Sequence, residues 1–224
     1  MNRYHATPWV RAAATLAVAA TGLSAGSLSA EEPMWGNAQG KMELTSTAFT
    51  NGNPLPAANI YNNVYPPGST FNVCSATGAM GGDQSPQLAW KRAPYNSRSF
   101  VVVLYDTTAA FTHWGMYNIP PYTHMLPEDA GVADSQFGSQ VNNDFGDPSY
   151  DGPCPPAGIA PEVHHYVFTV YALDTELKVV SASASFPANA ETLYQALIKA
   201  ARDGHILASG ELVALNSGSL PPSN

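Results

Sequence analysis

Charge is scarce in this chain, and basic charge is scarcest: nine Lys and Arg stand against seventeen Asp and Glu in 224 residues, a formal net charge of −8. Without a basic stripe, such a surface repels phosphodiester backbones, which excludes sequence-independent nucleic-acid binding. Long apolar runs are missing too, since no segment has the roughly 18 uninterrupted apolar residues that a membrane-spanning helix needs. Cysteine is limited to Cys74 and Cys154, with no Cys-x-x-Cys spacing, which removes thioredoxin-like and zinc-ribbon chemistry. Also absent are Gly-x-Ser-x-Gly, His-Glu-x-x-His, Gly-x-x-x-x-Gly-Lys-Ser/Thr and Gly-x-Gly-x-x-Gly. The best-marked hydrolase, metalloprotease and nucleotide-binding signatures are therefore excluded. No catalytic residue, metal ligand or cofactor is expected.

What is present begins with an address. Arg3, His5 and Arg11 give a basic start, Ala12 to Leu23 is a short run of Ala, Leu, Val and Thr, and Ser27-Leu28-Ser29-Ala30 ends in small residues. This pattern predicts a cleavable signal peptide over residues 1–30, cut after Ala30 with Ala25 as the alternative site, and a protein that works in the periplasm or outside the cell. Loss of Arg3 and Arg11 leaves seven basic residues against seventeen acidic, a net charge of −10. No integral membrane segment is expected after cleavage. In an oxidising compartment an isolated cysteine pair tends to be bonded.

Short runs of Val, Ile, Phe, Tyr and Thr between Gly, Pro, Asn and Asp predict a mainly β domain. Strands are expected over Phe100–Asp106, Trp114–Ile119 and His164–Leu173, with a weaker outer strand within Met42–Phe49. Phe100 to Tyr105 and Tyr166 to Tyr171 are apolar on both alternate faces, so these strands should be central and covered on each side. Asn189 is placed to cap a helix whose stripe is Leu193, Ala196, Leu197, Ala200 and Ala201, with Gly204 as its stop. A last strand is expected over His205–Leu215, then a flexible tail over 217–224. Residues 120–161 carry no long periodic segment, a length of irregular chain that is usually functional.

Polar residues gather at strand ends. Asp106 closes one strand, His113 precedes another, and His164 opens a third. His164 and Tyr166 share one strand face while His165 lies on the other. Taken singly, a His or Asp at a strand end is more often structural than functional, and Asp106 suits the role of turn cap. Trp90, Trp114 and Tyr117 read as packing. His124 and His205 have no partner visible in the sequence.

These residues also carry a resemblance. Ser85-Pro86-Gln-Leu-Ala-Trp90, Tyr105-Asp106, His113-Trp114 with Tyr117-Asn118-Ile119-Pro120, Asn143-Asp144-Phe145-Gly146, Tyr150-Asp-Gly-Pro-Cys-Pro-Pro156 and His164-His-Tyr166 occur in that order. The ordered set resembles the phosphatidylethanolamine-binding protein family, in particular its bacterial Raf-kinase-inhibitor-like branch, over roughly residues 42–215. The resemblance implies a β-sandwich fold with a large central antiparallel sheet, a smaller second sheet and a C-terminal helix, here spanning 42–216 after an N-terminal extension of 31–41. It also implies a pocket for a small anion, such as phosphate or a phospholipid headgroup, lined by Asp106, His113, Gly152, Pro155, Pro156, His164 and Tyr166. A disulfide between Cys74 and Cys154 at the pocket mouth follows from the same likeness.

One departure stands out. The family's Asp-Pro-Asp-Ala-Pro is Asp106-Thr107-Thr108-Ala109-Ala110 here, which removes both prolines and the second carboxylate and predicts a less rigid, less acidic rim. Histidine N–H groups, the Tyr166 hydroxyl and backbone amides suit a negative ligand. The first expectation is thus an exported, non-enzymatic anion-binding protein. Two alternatives come from other classes: a secreted inhibitor of a protease or kinase-type protein target, and a small acid–base hydrolase using Asp106 and His113.

Overall fold

The computed structural model describes residues 40–181 and 187–221. The expected signal peptide, and all but two residues of the N-terminal extension, lie outside these limits. A six-stranded sheet forms the centre, in the order β1 (Gly40–Lys41), β9 (Ile206–Ser217), β8 (Val163–Leu173), β4 (Ser99–Asp106), β5 (Phe111–Ile119) and β7 (Ser139–Gln140). It is antiparallel throughout except for the parallel edge pair of β1 and β9. A three-stranded sheet, β2 (Glu43–Thr45), β3 (Leu88–Lys91) and β6 (Met125–Leu126), covers one face, and helix α1 (Ala190–Arg202) packs on the other.

The double-sided apolar character of β4 and β8 explains this layering. Phe100, Val102 and Leu104 of β4 join Tyr166, Phe168, Val170 and Ala172 of β8 in one core with the small sheet. The intervening Val101, Val103, Tyr171 and Leu173 form a second core with Leu193, Leu197 and Ala200 of the helix. The helix starts as expected: Thr192 donates its amide to Asn189 Oδ1 at 3.1 Å while the Asn189 amide donates to Thr192 Oγ1 at 2.9 Å. It stops at Gly204, whose φ of 77° suits glycine alone.

Three expectations change. The weak strand expected within Met42–Phe49 forms only over Glu43–Thr45, as β2 of the small sheet, while β1 lies just before that range and pairs in the large sheet. The last strand starts at Ile206, and His205 before it pairs with Asp174 at 2.9 Å. The tail expected from residue 217 is held as far as it is described. Ser217 ends β9, the Ser219 amide donates to Val73 O at 3.0 Å, and its hydroxyl donates to Ser75 O at 2.6 Å. Between 120 and 161 only the two-residue strands β6 and β7 form, so this stretch is mostly loop. Among the described residues no helix is long and apolar enough to cross a membrane.

Candidate functional site

The end of β4 sets the site. Asp106 is only 2% exposed, so its carboxylate needs partners. Oδ1 accepts the amides of Thr108 (2.8 Å) and Ala109 (3.0 Å), and Oδ2 accepts Nδ1–H of His164 at 2.7 Å. Both readings of this residue hold together: it caps the β4–β5 turn and orients a histidine. The turn that lacks the family's prolines is thus pinned by a carboxylate, even with Ala110 at a φ of 54°.

Strand pairing brings the remaining groups onto the same face. Asp106 lies opposite Tyr166, and His164 sits two residues along β8. His113 reaches this face through an irregularity. Leu104 pairs with Trp114 but Tyr105 pairs with Thr112, leaving His113 as the extra residue of a β-bulge. Thr112 therefore points toward the helix, where its hydroxyl meets that of Tyr194, while Trp114 enters the opposite core. His113 shares the Trp114 side and meets the Tyr166 ring edge-on at 5.2 Å. His164 and Tyr166 are stacked at 6.2 Å.

Each histidine has one nitrogen committed. A carbonyl can only accept, so Nδ1 of His113, 2.9 Å from Asp151 O, carries the proton. His164 likewise donates from Nδ1 to Asp106. In the neutral rings Nε2 is then a bare acceptor, the reverse of the donor role expected from sequence. Burial lowers the pKa of His113 below 6.5, and the Asp151 carbonyl and the Asp106 charge only partly oppose this. Burial and then the Asp106 charge raise the Tyr166 hydroxyl, which also interacts with the Cys154 backbone.

The wall around these rings is a loop tied at several points. Asn143 Oδ1 accepts the amides of Phe145, Gly146 and Asp147, while its Nδ2 donates to Ser149 O and to the Asp151 carboxylate. Asp144 Oδ2 accepts the Thr112 amide at 2.7 Å. Phe145 lies flat against Tyr61 at 5.3 Å and edge-on to Phe111 at 4.7 Å, forming an aromatic rim beside His113. Cys74 and Cys154 form the disulfide, 80 residues apart in sequence. Gly218 threads between the loops that the disulfide joins, too close to Val73 O and Pro155 O for any side chain.

Asp106, His113, His164 and Tyr166 come together as expected. The Gly152 amide is committed to Asp83 Oδ1 at 2.7 Å, while the Gly152 backbone also interacts with the His113 ring. Pro155 is buried and Pro156 exposed, and no described contact ties either to the histidines. Asp106 pairs with His164 and not with His113, against the acid–base pair of the hydrolase alternative. Sequence reasoning missed Asp83, whose carboxyl is raised to about 6, chiefly by burial, and Asp151, also raised by burial. Their position depends on loop geometry that no local periodicity encodes. Among the described residues no group of three or more His, Cys, Asp or Glu is arranged to hold a metal ion. A cleft of about 280 Å³ lies on the helix side between Leu177, Ala196, Lys199 and His205, away from this site.

Known proteins agree with this architecture. The profile described as phosphatidylethanolamine-binding protein matches residues 45–217. YbcL of Escherichia coli K12 is 40% identical over 125 residues, covering 52% of this chain and 67% of the relative. YbhB of the same organism is 36% identical over 151 residues, covering 64% and 85%. The crystal structure of Escherichia coli YbcL, described as a new member of the mammalian PEBP family, superposes with a TM-score of 0.62 at 28% identity, covering 79% of this chain and 98% of that one. A PEBP homologue from Chlamydia trachomatis gives a TM-score of 0.57 at 28% identity, covering 80% and 99%.

Gly152 should tolerate no side chain, since a Cβ there would lie 2.5 Å from Asn59 O and 2.6 Å from Tyr61 N. Gly152→Ala is expected to destabilise the fold by about 1–3 kcal/mol, because the clash is with backbone. Urea denaturation measures this, and an unchanged midpoint would show that the wall is looser than described.

Proposed function

The chain belongs to the phosphatidylethanolamine-binding protein family, and on that premise we propose that it is an exported, non-enzymatic binding protein for a phosphate-type group held between His113 and His164. The observation that carries this reading is the pair of imidazoles on one sheet face, each with Nδ1 engaged and Nε2 left for a ligand. A phosphate ester suits such a site in either protonation state. Its second pKa lies near ~6, so it can donate P–OH to a neutral Nε2 or accept from an imidazolium. Sulfate, which has no proton to share near neutral pH, is a poorer match. The carboxylates of Asp106 and Asp144 oppose a bare dianion and favour a ligand that arrives with its proton. The apolar, small-residue-ended N-terminal segment and the Cys74–Cys154 bond support export.

Calorimetry with inorganic phosphate tests the site. His113→Ala and His164→Ala should each weaken binding at least about tenfold, roughly 1.4 kcal/mol. Because burial lowers the pKa of His113, the ring is neutral at pH 7.5. The phosphate itself takes up a proton in this range and can then donate P–OH to the neutral Nε2, so affinity should rise as the pH falls from 7.5 toward 6. Affinity unchanged from that of the unaltered protein in either variant, or sulfate binding as tightly as phosphate, contradicts the reading. Export is checked by N-terminal sequencing of protein from the producing cells: a chain starting at Glu31 supports it, and one retaining residues 1–30 does not.

A further inference from the structure

Two hydrogen bonds near His113 share a single peptide group. His113 donates from Nδ1 to the carbonyl of Asp151 at 2.9 Å, and the amide of Gly152 donates to Asp83 Oδ1 at 2.7 Å. That carbonyl and that amide are the two ends of the Asp151–Gly152 peptide, linked by resonance across the C–N bond. Donors and acceptors therefore run one way, from imidazole N–H to carbonyl and from amide N–H to carboxylate. An ionised carboxylate drawing on the amide hydrogen shifts electron density to the carbonyl oxygen, and successive hydrogen bonds strengthen one another.

We propose that Asp83 is a positioning residue for His113, acting through the Asp151–Gly152 peptide group to orient the ring and strengthen its hold on the Nδ1 proton. Its importance for ligand binding rests on the reading of the site given above. The two histidines are then backed alike: His164 directly by Asp106, and His113 by Asp83 at one remove. The parts of this relay are fixed in place. Asp83 has a φ of 54°, and its own amide donates to Ile60 O at 3.0 Å. The peptide at Gly152 has no room to turn, wedged against the backbone of residues 59–61.

The titratable groups facing Asp83 are Asp151, whose negative charge raises its pKa, and the buried phenol of Tyr150, which in turn feels Asp83. Those facing His113 are Asp106 and Asp144, with the Asp151 and Gly152 backbone and the rings of Phe111, Phe145 and Tyr166 completing its surroundings. Asp83 itself titrates at about 6, within reach of ordinary conditions.

The test is a nuclear magnetic resonance pH titration of the full-length mature protein, following the Gly152 amide and the His113 ring with no anion present. In the unaltered protein both signals should show an inflection near pH 6, the value of Asp83. Asp83→Asn keeps an oxygen to accept the Gly152 amide but carries no charge. It should abolish that inflection at both places and shift the midpoint of His113 itself to lower pH, while Asp83→Glu should restore the inflection. A His113 midpoint unchanged by Asp83→Asn, or a Gly152 inflection that the ring does not follow, overturns the proposal. If Asp83→Asn does not fold, the paired inflections of the unaltered protein decide alone. Failure to bind phosphate would overturn the proposed function and leave this relay standing, so the two outcomes are separable.

Discussion

Asp106 sits where three demands meet. It ends a strand buried on both sides, it must stop that strand in a turn, and its charge has to be matched in a place almost closed to water. Leaving such a carboxylate unpartnered costs several kcal/mol, so its surroundings are constrained by it. One oxygen answers by gathering the amides of Thr108 and Ala109, which shapes the β4–β5 turn. The other takes the proton-bearing nitrogen of His164 on the neighbouring strand. Burial is the larger influence on Tyr166 and His113, but the Asp106 charge reaches both, so this side chain is felt across the face.

The fold supplies the frame this carboxylate needs. Two strands apolar on both faces require a layer on each side, and the small sheet and the helix provide them. Asp106, His164 and Tyr166 fall on the small-sheet face at one end of those strands, and a single bulge turns His113 onto the same face. The loop from Asn143 to Pro156 closes around the rings and is tied by Asn143, by Asp83, by the disulfide and by the tail at Gly218 and Ser219. Preorganisation of this kind reduces the ordering cost of binding a small ligand.

Much of this was legible in the amino-acid sequence. The double apolar faces of Phe100–Tyr105 and Tyr166–Tyr171 predicted central strands, and period-two alternation placed His164 beside Tyr166 and His165 away from it. Asn189 and Gly204 marked both ends of the helix. The face of His113 was not legible, because a bulge inserts one residue and reverses the alternation beyond it. Asp83 was equally hidden: it lies 69 residues from the amide it accepts, in a segment without periodicity. Ser219 is anchored by bonds from its amide and hydroxyl to the carbonyls of Val73 and Ser75, to which polarity of composition is blind. Thr107 and Ala110 in place of the family's prolines showed a loss in sequence, while the bonds from Asp106 that pin the turn appeared only in three dimensions.

The central claim is that both imidazoles keep their protons on Nδ1 and offer Nε2 to a phosphate-type ligand. Histidine-selective ¹⁵N magnetic resonance at neutral pH, before and after adding inorganic phosphate, tests it most directly. The account predicts Nδ1–H tautomers for His113 and His164 in the free protein, with both Nε2 resonances moving toward the protonated position as phosphate is added. An Nε2–H tautomer at either ring in the free protein, or Nε2 resonances indifferent to phosphate, would contradict it.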